Sequence, residues 1–89
     1  MTSYKSRIED KLRAAFSPAR LEVFDESSKH HGHSGWREGG ETHFRVVIEA
    51  AAFAGKSRVE IHRAINQVLD SELAERVHAL AIEARAPSA

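Results

Sequence analysis

At residues 42–66 the chain reads THFRVVIEAAAFAGKSRVEIHRAIN, and this stretch predicts a strand, a turn and a helix in succession. In its first part, large apolar residues recur at every second position, at Phe44, Val46 and Ile48. That period is typical of a strand with one buried face. Gly55 centres the turn, and Ser57 has a side chain suited to an N-cap. The helix then places four residues on one predicted face: Val59, His62, Ile65 and Leu69.

The residues before this stretch predict a first helix and a first strand. Ser3 or Thr2 is the expected N-cap of the helix, and Pro18 ends it near Ser17. Its predicted apolar stripe consists of Ile8, Leu12, Ala15 and Phe16. RLEVFDE, residues 20–26, is β-prone and predicts a strand. This strand and THFRVVIEA form an expected antiparallel hairpin with a long loop. Loops of about 12 or more residues in compact domains tend to be functional or disordered.

The residues after the helix predict a short helix and a last strand. Asp70 or Ser71 is the expected cap of the short helix SELAER. In the strand VHALAIEA, His78, Leu80 and Ile82 share one face. The opposite face carries Val77, Ala79 and Ala81, and we expect its small residues to let a helix pack closely.

The element order is therefore α-β-β-α-α-β, in a single domain of residues 1–89. It predicts an α+β fold with a three-stranded sheet and helices on one face. Helices separate the strand THFRVVIEA from the strand VHALAIEA. The connection is therefore long enough for these two strands to pair in parallel.

Composition limits the function. The 89 residues include no cysteine, which excludes a disulfide framework, a thiol nucleophile and thiolate metal ligands from this chain. Thirteen basic residues balance thirteen acidic ones, so strong non-specific nucleic-acid binding is not expected. The N-terminus lacks the apolar segment of a secretory signal, and no apolar run suits a membrane span. We therefore expect a soluble, cytoplasmic protein.

The sequence offers no arrangement typical of an enzyme. No serine, histidine and acid are spaced so as to suggest a triad. Asp25 and Glu26 are adjacent, and neighbours on a strand point to opposite faces, so they are poor candidates for paired acid–base catalysis.

Four of the six histidines lie between residues 25 and 46, and three of them, His30, His31 and His33, are in the predicted loop. A solvated polar loop and a metal site both remain open for these three. His62 is interpreted as a structural histidine rather than a ligand, and His43 as either structural or solvent-facing. His78 opens an otherwise apolar strand, where an imidazole is either paired or, at an exposed end, free to act as a ligand. Without cysteines, the chain would need thiolates from elsewhere to hold an iron–sulfur cluster.

Basic residues flank the start of the central helix: Lys56, Arg58 and Arg63. A helix N-terminus with basic side chains suits a phosphate group. A solvated polar face is the alternative.

Several motifs together resemble the BolA family over most of the chain: LEVFDESSKHHGHSG, ETHFRVVI, FAGKSRVEIHRAIN and LAERVHALAIEA. The resemblance implies a class II KH-like fold and a non-enzymatic protein. It implies a heterodimer with a monothiol glutaredoxin that holds a [2Fe-2S] cluster for iron sensing or cluster trafficking. His78, in VHAL, matches the family's C-terminal ligand. His30 most closely matches its loop ligand, for which His31 or His33 could substitute. A glutaredoxin cysteine and a glutathione thiolate would complete the ligand set.

The resemblance also implies an alternative, because some members are DNA-binding regulators of morphology and stress response. Lys56, Arg58 and Arg63 would make the DNA contacts in the KH-like helix pair. The third residue after Gly55 is Arg58, so the Gly-x-x-Gly loop of true KH domains is absent. Alone, the chain is expected to be a monomer or a weak homodimer. A third hypothesis is that the histidine loop buffers metal ions without a partner.

Overall fold

A computed structural model describes residues 3–27 and 40–87. The elements in chain order are α1 (Tyr4–Phe16), β1 (Arg20–Asp25), β2 (His43–Glu49), a 3-10 turn (Ala51–Phe53), α2 (Arg58–Val68), α3 (Asp70–Glu75) and β3 (Ala79–Arg85). This order confirms the predicted α-β-β-α-α-β arrangement.

The sheet has the strand order β1-β2-β3, with β2 in the middle. β1 pairs antiparallel with β2, in a register that places Val23 opposite Val46. β2 pairs parallel with β3, and Val46 lies opposite Ile82. A parallel pair needs a long crossover, which α2 and α3 provide. The predicted hairpin and the predicted parallel pairing are both confirmed.

The core lies between one face of the sheet and the helices. It is formed by Ile8, Leu12, Val23, Phe44, Val46, Ile48, Ala50, Phe53, Ile61, Ile65, Leu69 and Val77. The other face of the sheet carries ion pairs, among them Arg45 with Glu26 and Glu83. The hydrogen bond to Glu83 is the main reason that the pKa of Arg45 is raised. The helices therefore cover one face, as predicted, and the second face carries paired charged side chains together with the exposed Phe24.

The predicted apolar faces of α1 and α2 are each wrong at one position. Ala15 is exposed at the end of α1, while Ile8 and Leu12 are buried. In α2 the side chain of Val59 is 55% exposed, and Ile61 is buried instead. Two residues turn a helix by about 200°, so Val59 and Ile61 lie on nearly opposite faces.

The prediction for the small-residue face of β3 is also wrong. Ala79 and Ala81 are exposed, and Leu80 and Ile82 are the partly buried residues that face the core. The parallel register places Leu80 beside Phe44 and Ile82 beside Val46, so burial of the β2 side chains determines which face of β3 is covered.

The helix ends agree with the predicted caps, with one exception. Ser3 caps α1 by accepting a hydrogen bond from the Ser6 N–H (3.0 Å). Ser57 and Glu60 form a reciprocal capping box at the start of α2. The exception is α3, which begins at Asp70 after Leu69 and has no side-chain cap.

A buried carboxylate ties α1 to α3. Glu72 is fully buried and accepts hydrogen bonds from Arg7 Nε (3.0 Å) and Lys11 Nζ (2.9 Å). A buried charge is tolerated only when it is paired in this way. Within residues 3–27 and 40–87, no helix is long and apolar enough to cross a membrane.

Candidate metal centre

His78 lies immediately before β3 and is exposed to solvent. Its backbone N–H donates to the carbonyl oxygen of Thr42 (2.7 Å), and the N–H of Ala79 donates to the same oxygen (3.1 Å). These two bonds lie directly before the first parallel pair of β2 and β3, His43 with Ala79. The imidazole is therefore exposed, on a backbone that is hydrogen-bonded to Thr42.

His43, the first residue of β2, brings a second imidazole to this place. The two ring centroids of His43 and His78 are 5.5 Å apart, with an interplanar angle of 53°. His43 is only 6% exposed, and its Nδ1 lies 2.9 Å from the hydroxyl of Thr42. Its burial and hydrogen bond agree with a structural histidine. Sequence reasoning missed the proximity of the two rings, because only the β2–β3 register creates it.

The N-terminal end of the histidine-rich loop is held against the start of β2. The hydroxyl of Ser27 accepts hydrogen bonds from the N–H groups of Thr42 (2.8 Å) and His43 (3.2 Å). It donates to the carboxylate of Asp25 (2.6 Å). The same carboxylate accepts from the N–H groups of Ser27 (2.9 Å) and Glu41 (3.2 Å). Asp25 thus connects the two ends of the loop.

The C-terminal end of the loop is held by an arginine from the segment before His78. Arg76 donates from Nε (2.9 Å) and Nη2 (2.7 Å) to the carbonyl oxygen of Gly40. The chain turns sharply here, since Gly40 and Glu41 both have positive φ, 73° and 59°. Both ends of the loop are thereby placed beside His78. His30, His31 and His33 lie outside the described residues.

The described side chains fit part of a shared cluster site. Among residues 3–27 and 40–87, no group of three or more His, Cys, Asp or Glu side chains could hold a metal ion. His78 is nevertheless a suitable single ligand, because imidazole binds iron and its side chain is accessible. The remaining ligands would come from the histidine loop and from thiolates outside this cysteine-free chain.

A groove of about 600 Å³ lies at the opposite end of β3, against the start of α2. Its lining includes the apolar residues Phe53, Ile61, Ile82 and Ala84. Lys56 and Arg58 also line it, whereas Arg63 lies further along α2, exposed and outside the groove. In the described part of the chain, none of these three cations has a carboxylate within salt-bridge distance. The hydrogen bond from the Ser57 backbone lowers the pKa of Glu60, so an ionised carboxylate stays at the N-terminus of α2.

Comparison with known proteins gives consistent results. The family model described as BolA-like protein matches residues 12–89. The "Uncharacterized protein in cobS 5'region" of Sinorhizobium sp is 54% identical over 86 residues, covering 96% of this chain and 92% of that protein. The "DNA-binding transcriptional regulator BolA" of Escherichia coli (strain K12) is 46% identical over 78 residues, covering 88% of this chain and 70% of that one.

A solved structure agrees with the fold. The BolA domain of SufE1 from Arabidopsis thaliana superposes with a TM-score of 0.87 at 44% identity, covering 98% of this chain and 95% of that domain. This chain spans only 23% of the complete SufE-like protein 1 of that plant.

Proposed function

The chain belongs to the BolA-like family, and on that premise we propose that it is a non-enzymatic adaptor that binds a monothiol glutaredoxin and co-ligates a [2Fe-2S] cluster. The cluster would serve iron sensing or iron–sulfur trafficking. One observation carries the proposal: His78 is exposed beside the anchored ends of a loop that contains three histidines.

Two residues of this chain would hold the cluster, His78 and one loop histidine. Along the chain, His30 is three residues from Ser27, His31 four and His33 six. His30 is therefore the candidate nearest to Ser27 in sequence, and substitution must distinguish it from the other two.

Thiolates must complete the ligand set, because this chain has none. A glutaredoxin cysteine and a glutathione thiolate would supply them. A bound cluster provides one-electron redox chemistry, and replacing thiolates by imidazoles raises its reduction potential. The role of this chain is then to contribute neutral imidazole ligands and to determine which protein senses the cluster or receives it.

The test is reconstitution of the cluster in a mixture of the purified chain, a monothiol glutaredoxin and glutathione. We expect the visible circular dichroism spectrum to differ from that of the glutaredoxin alone with the wild-type chain, but not with His78→Ala. His62→Ala is the matched control, because His62 lies in α2 beside the groove at the other end of β3. A wild-type spectrum identical to that of the glutaredoxin alone would refute the proposal.

The loop ligand is identified by the same measurement on His30→Ala, His31→Ala and His33→Ala. We expect the variant that removes the ligand to lose the spectral change, as His78→Ala does. Loss with His31→Ala or His33→Ala alone would transfer the assignment from His30 to that residue.

A second candidate function is DNA-dependent regulation, and the charge of the groove favours it. Lys56 and Arg58 line the groove and make no salt bridge with any residue of 3–27 or 40–87, while Arg45, on the other face of the sheet, is paired. A relative is also named a DNA-binding regulator.

If this function holds, DNA binding should survive about 150 mM salt, and Arg58→Ala or Arg63→Ala should reduce the dependence on salt by about one phosphate contact. Arg45→Ala removes the same charge from the other face and should change affinity little. Binding that appears only at low salt would contradict this candidate.

A further inference from the structure

We propose that α2 reads DNA sequence through two uncharged side chains on its exposed face, Val59 and Asn66, which are together named the reading pair. The partner is duplex DNA, and α2 would lie in its major groove. This inference rests on the second candidate function, DNA-dependent regulation, and adds sequence specificity to it. The basic residues near the start of α2 would contact phosphates, and phosphate contacts carry no sequence information directly.

The reading pair lies on the side of α2 that faces away from the core. The side chain of Val59 is 55% exposed, and Asn66 is also exposed. Seven residues make nearly two turns, so the two side chains are only about 20° apart around the helix axis. The buried residues Ile61 and Ile65 lie on the opposite half of the helix. Both members of the pair can therefore meet one partner at the same time.

Neither residue of the pair has a role in the fold that explains its identity. Val59 is one of two large hydrophobic side chains that are exposed in residues 3–27 and 40–87. The side chain of Asn66 makes no hydrogen bond within the same part of the chain. Valine and asparagine both have lower helix propensity than alanine, so the stability of α2 favours neither.

The charges near the reading pair favour a polyanion as the partner. Three exposed cations make no salt bridge with any described residue: Lys56, Arg58 and Arg63. Glu60 is the only acidic residue of α2, and it is engaged in the capping box. It also lies about 100° from Val59 around the helix axis. The exposed face is therefore locally basic, although the whole chain is neutral.

The two side chains suit different base edges of the major groove, which is wide enough to admit an α-helix. The amide of Asn66 can exchange two hydrogen bonds with adenine, and the methyl groups of Val59 can contact the methyl group of thymine. Seven residues advance a helix by about 10.5 Å, which matches about three base-pair steps of 3.4 Å. We therefore expect a preference for a thymine and an adenine about three base pairs apart.

The experiment selects bound molecules from a random library of duplex DNA, with the purified chain at about 150 mM salt. The wild-type chain should enrich the expected pair of bases, with a preference for adenine of about 5- to 150-fold. Asn66→Ala should abolish the preference at the adenine alone, and Val59→Ala the preference at the thymine alone. Both variants should fold, because alanine raises helix propensity, and thermal unfolding checks this.

Gln67→Ala is the matched control for Asn66→Ala. Gln67 is the neighbouring exposed amide, and it lies about 100° further around the helix, so this variant should enrich the wild-type motif. Arg58→Ala provides the contrast with a phosphate contact. It should lower affinity and the dependence on salt while the enriched motif stays the same.

Binding at about 150 mM salt without any enriched motif would overturn the inference and leave DNA-dependent regulation intact. A motif that both Val59→Ala and Asn66→Ala leave unchanged would overturn it in the same way. Equal affinity for the duplex and for its separated strands would also overturn it, because a single strand has no major groove. Absence of binding to any DNA at this salt concentration would overturn both the inference and the second candidate function.

Discussion

The hydroxyl of Ser27 is the buried group whose removal we expect to show most clearly how the loop end is held. Ser27 is 2% exposed, and its oxygen accepts from the N–H groups of Thr42 (2.8 Å) and His43 (3.2 Å). Ser27→Ala leaves both N–H groups buried without this acceptor. It also removes the hydrogen bond that Ser27 donates to Asp25 (2.6 Å).

The magnitude follows from the number of groups affected. A buried donor without a partner costs about 1–3 kcal/mol. The short bond to Thr42 belongs in the middle of this range and the longer bond to His43 at its lower end, so we expect a loss of about 3 kcal/mol. A domain of this size has a free energy of unfolding of about 4–13 kcal/mol. The expected fall in Tm is then at least about 10 °C.

Urea denaturation measures this loss, and hydrogen exchange locates it at the amides of Thr42 and His43. Ser71→Ala is the control, because Ser71 is exposed and its hydroxyl donates a long hydrogen bond to Asp70 (3.4 Å). We expect that control to change stability by less than about 0.5 kcal/mol. A similarly small change for Ser27→Ala would refute the assignment of Ser27 as the acceptor for two buried amides.

Three further predictions concern stability. Glu72→Gln removes a buried charge paired with two cations, and we expect urea denaturation to show a loss of about 2–3 kcal/mol, since the partly exposed cations can rehydrate; a loss under about 0.5 kcal/mol would contradict the buried pairing. Ser57→Ala removes the N-cap of α2 and should cost about 1 kcal/mol in the same assay, whereas an unchanged midpoint would show that the cap does not matter. The pKa of Glu75 is lowered, chiefly by the hydrogen bond from an α1 arginine, so its contribution is present above its unfolded pKa and is lost as the pH falls through the folded value. Denaturation between about pH 5 and pH 3 should therefore show a shallower decline for Glu75→Gln than for the wild type, and equal slopes would contradict the shift.

Local patterns were sufficient to predict the elements of this fold. The alternation in β2, the turn at Gly55 and the cap at Ser57 each depend on neighbours in the chain, and all three are confirmed. The positions predicted wrongly, such as Val59 and Ala79, required knowledge of what each face packs against. A helix stripe read from spacing alone has an uncertain rotation, and a strand with apolar residues on both faces has no local signal for its buried side.

For the candidate site, too, the sequence determines some features and the tertiary structure determines the others. The sequence by itself determined which chemistry is available: imidazoles in a loop, one imidazole before the last strand, and no thiolate in the chain. Only the tertiary structure decided what lies together, because the parallel register of β2 and β3 brings His78 to within 5.5 Å, ring to ring, of His43. It also revealed that Arg76 and Asp25 hold the two ends of the loop. The physical reason is that hydrogen bonds between residues far apart in the chain form only after the strands have paired, and no local pattern encodes them.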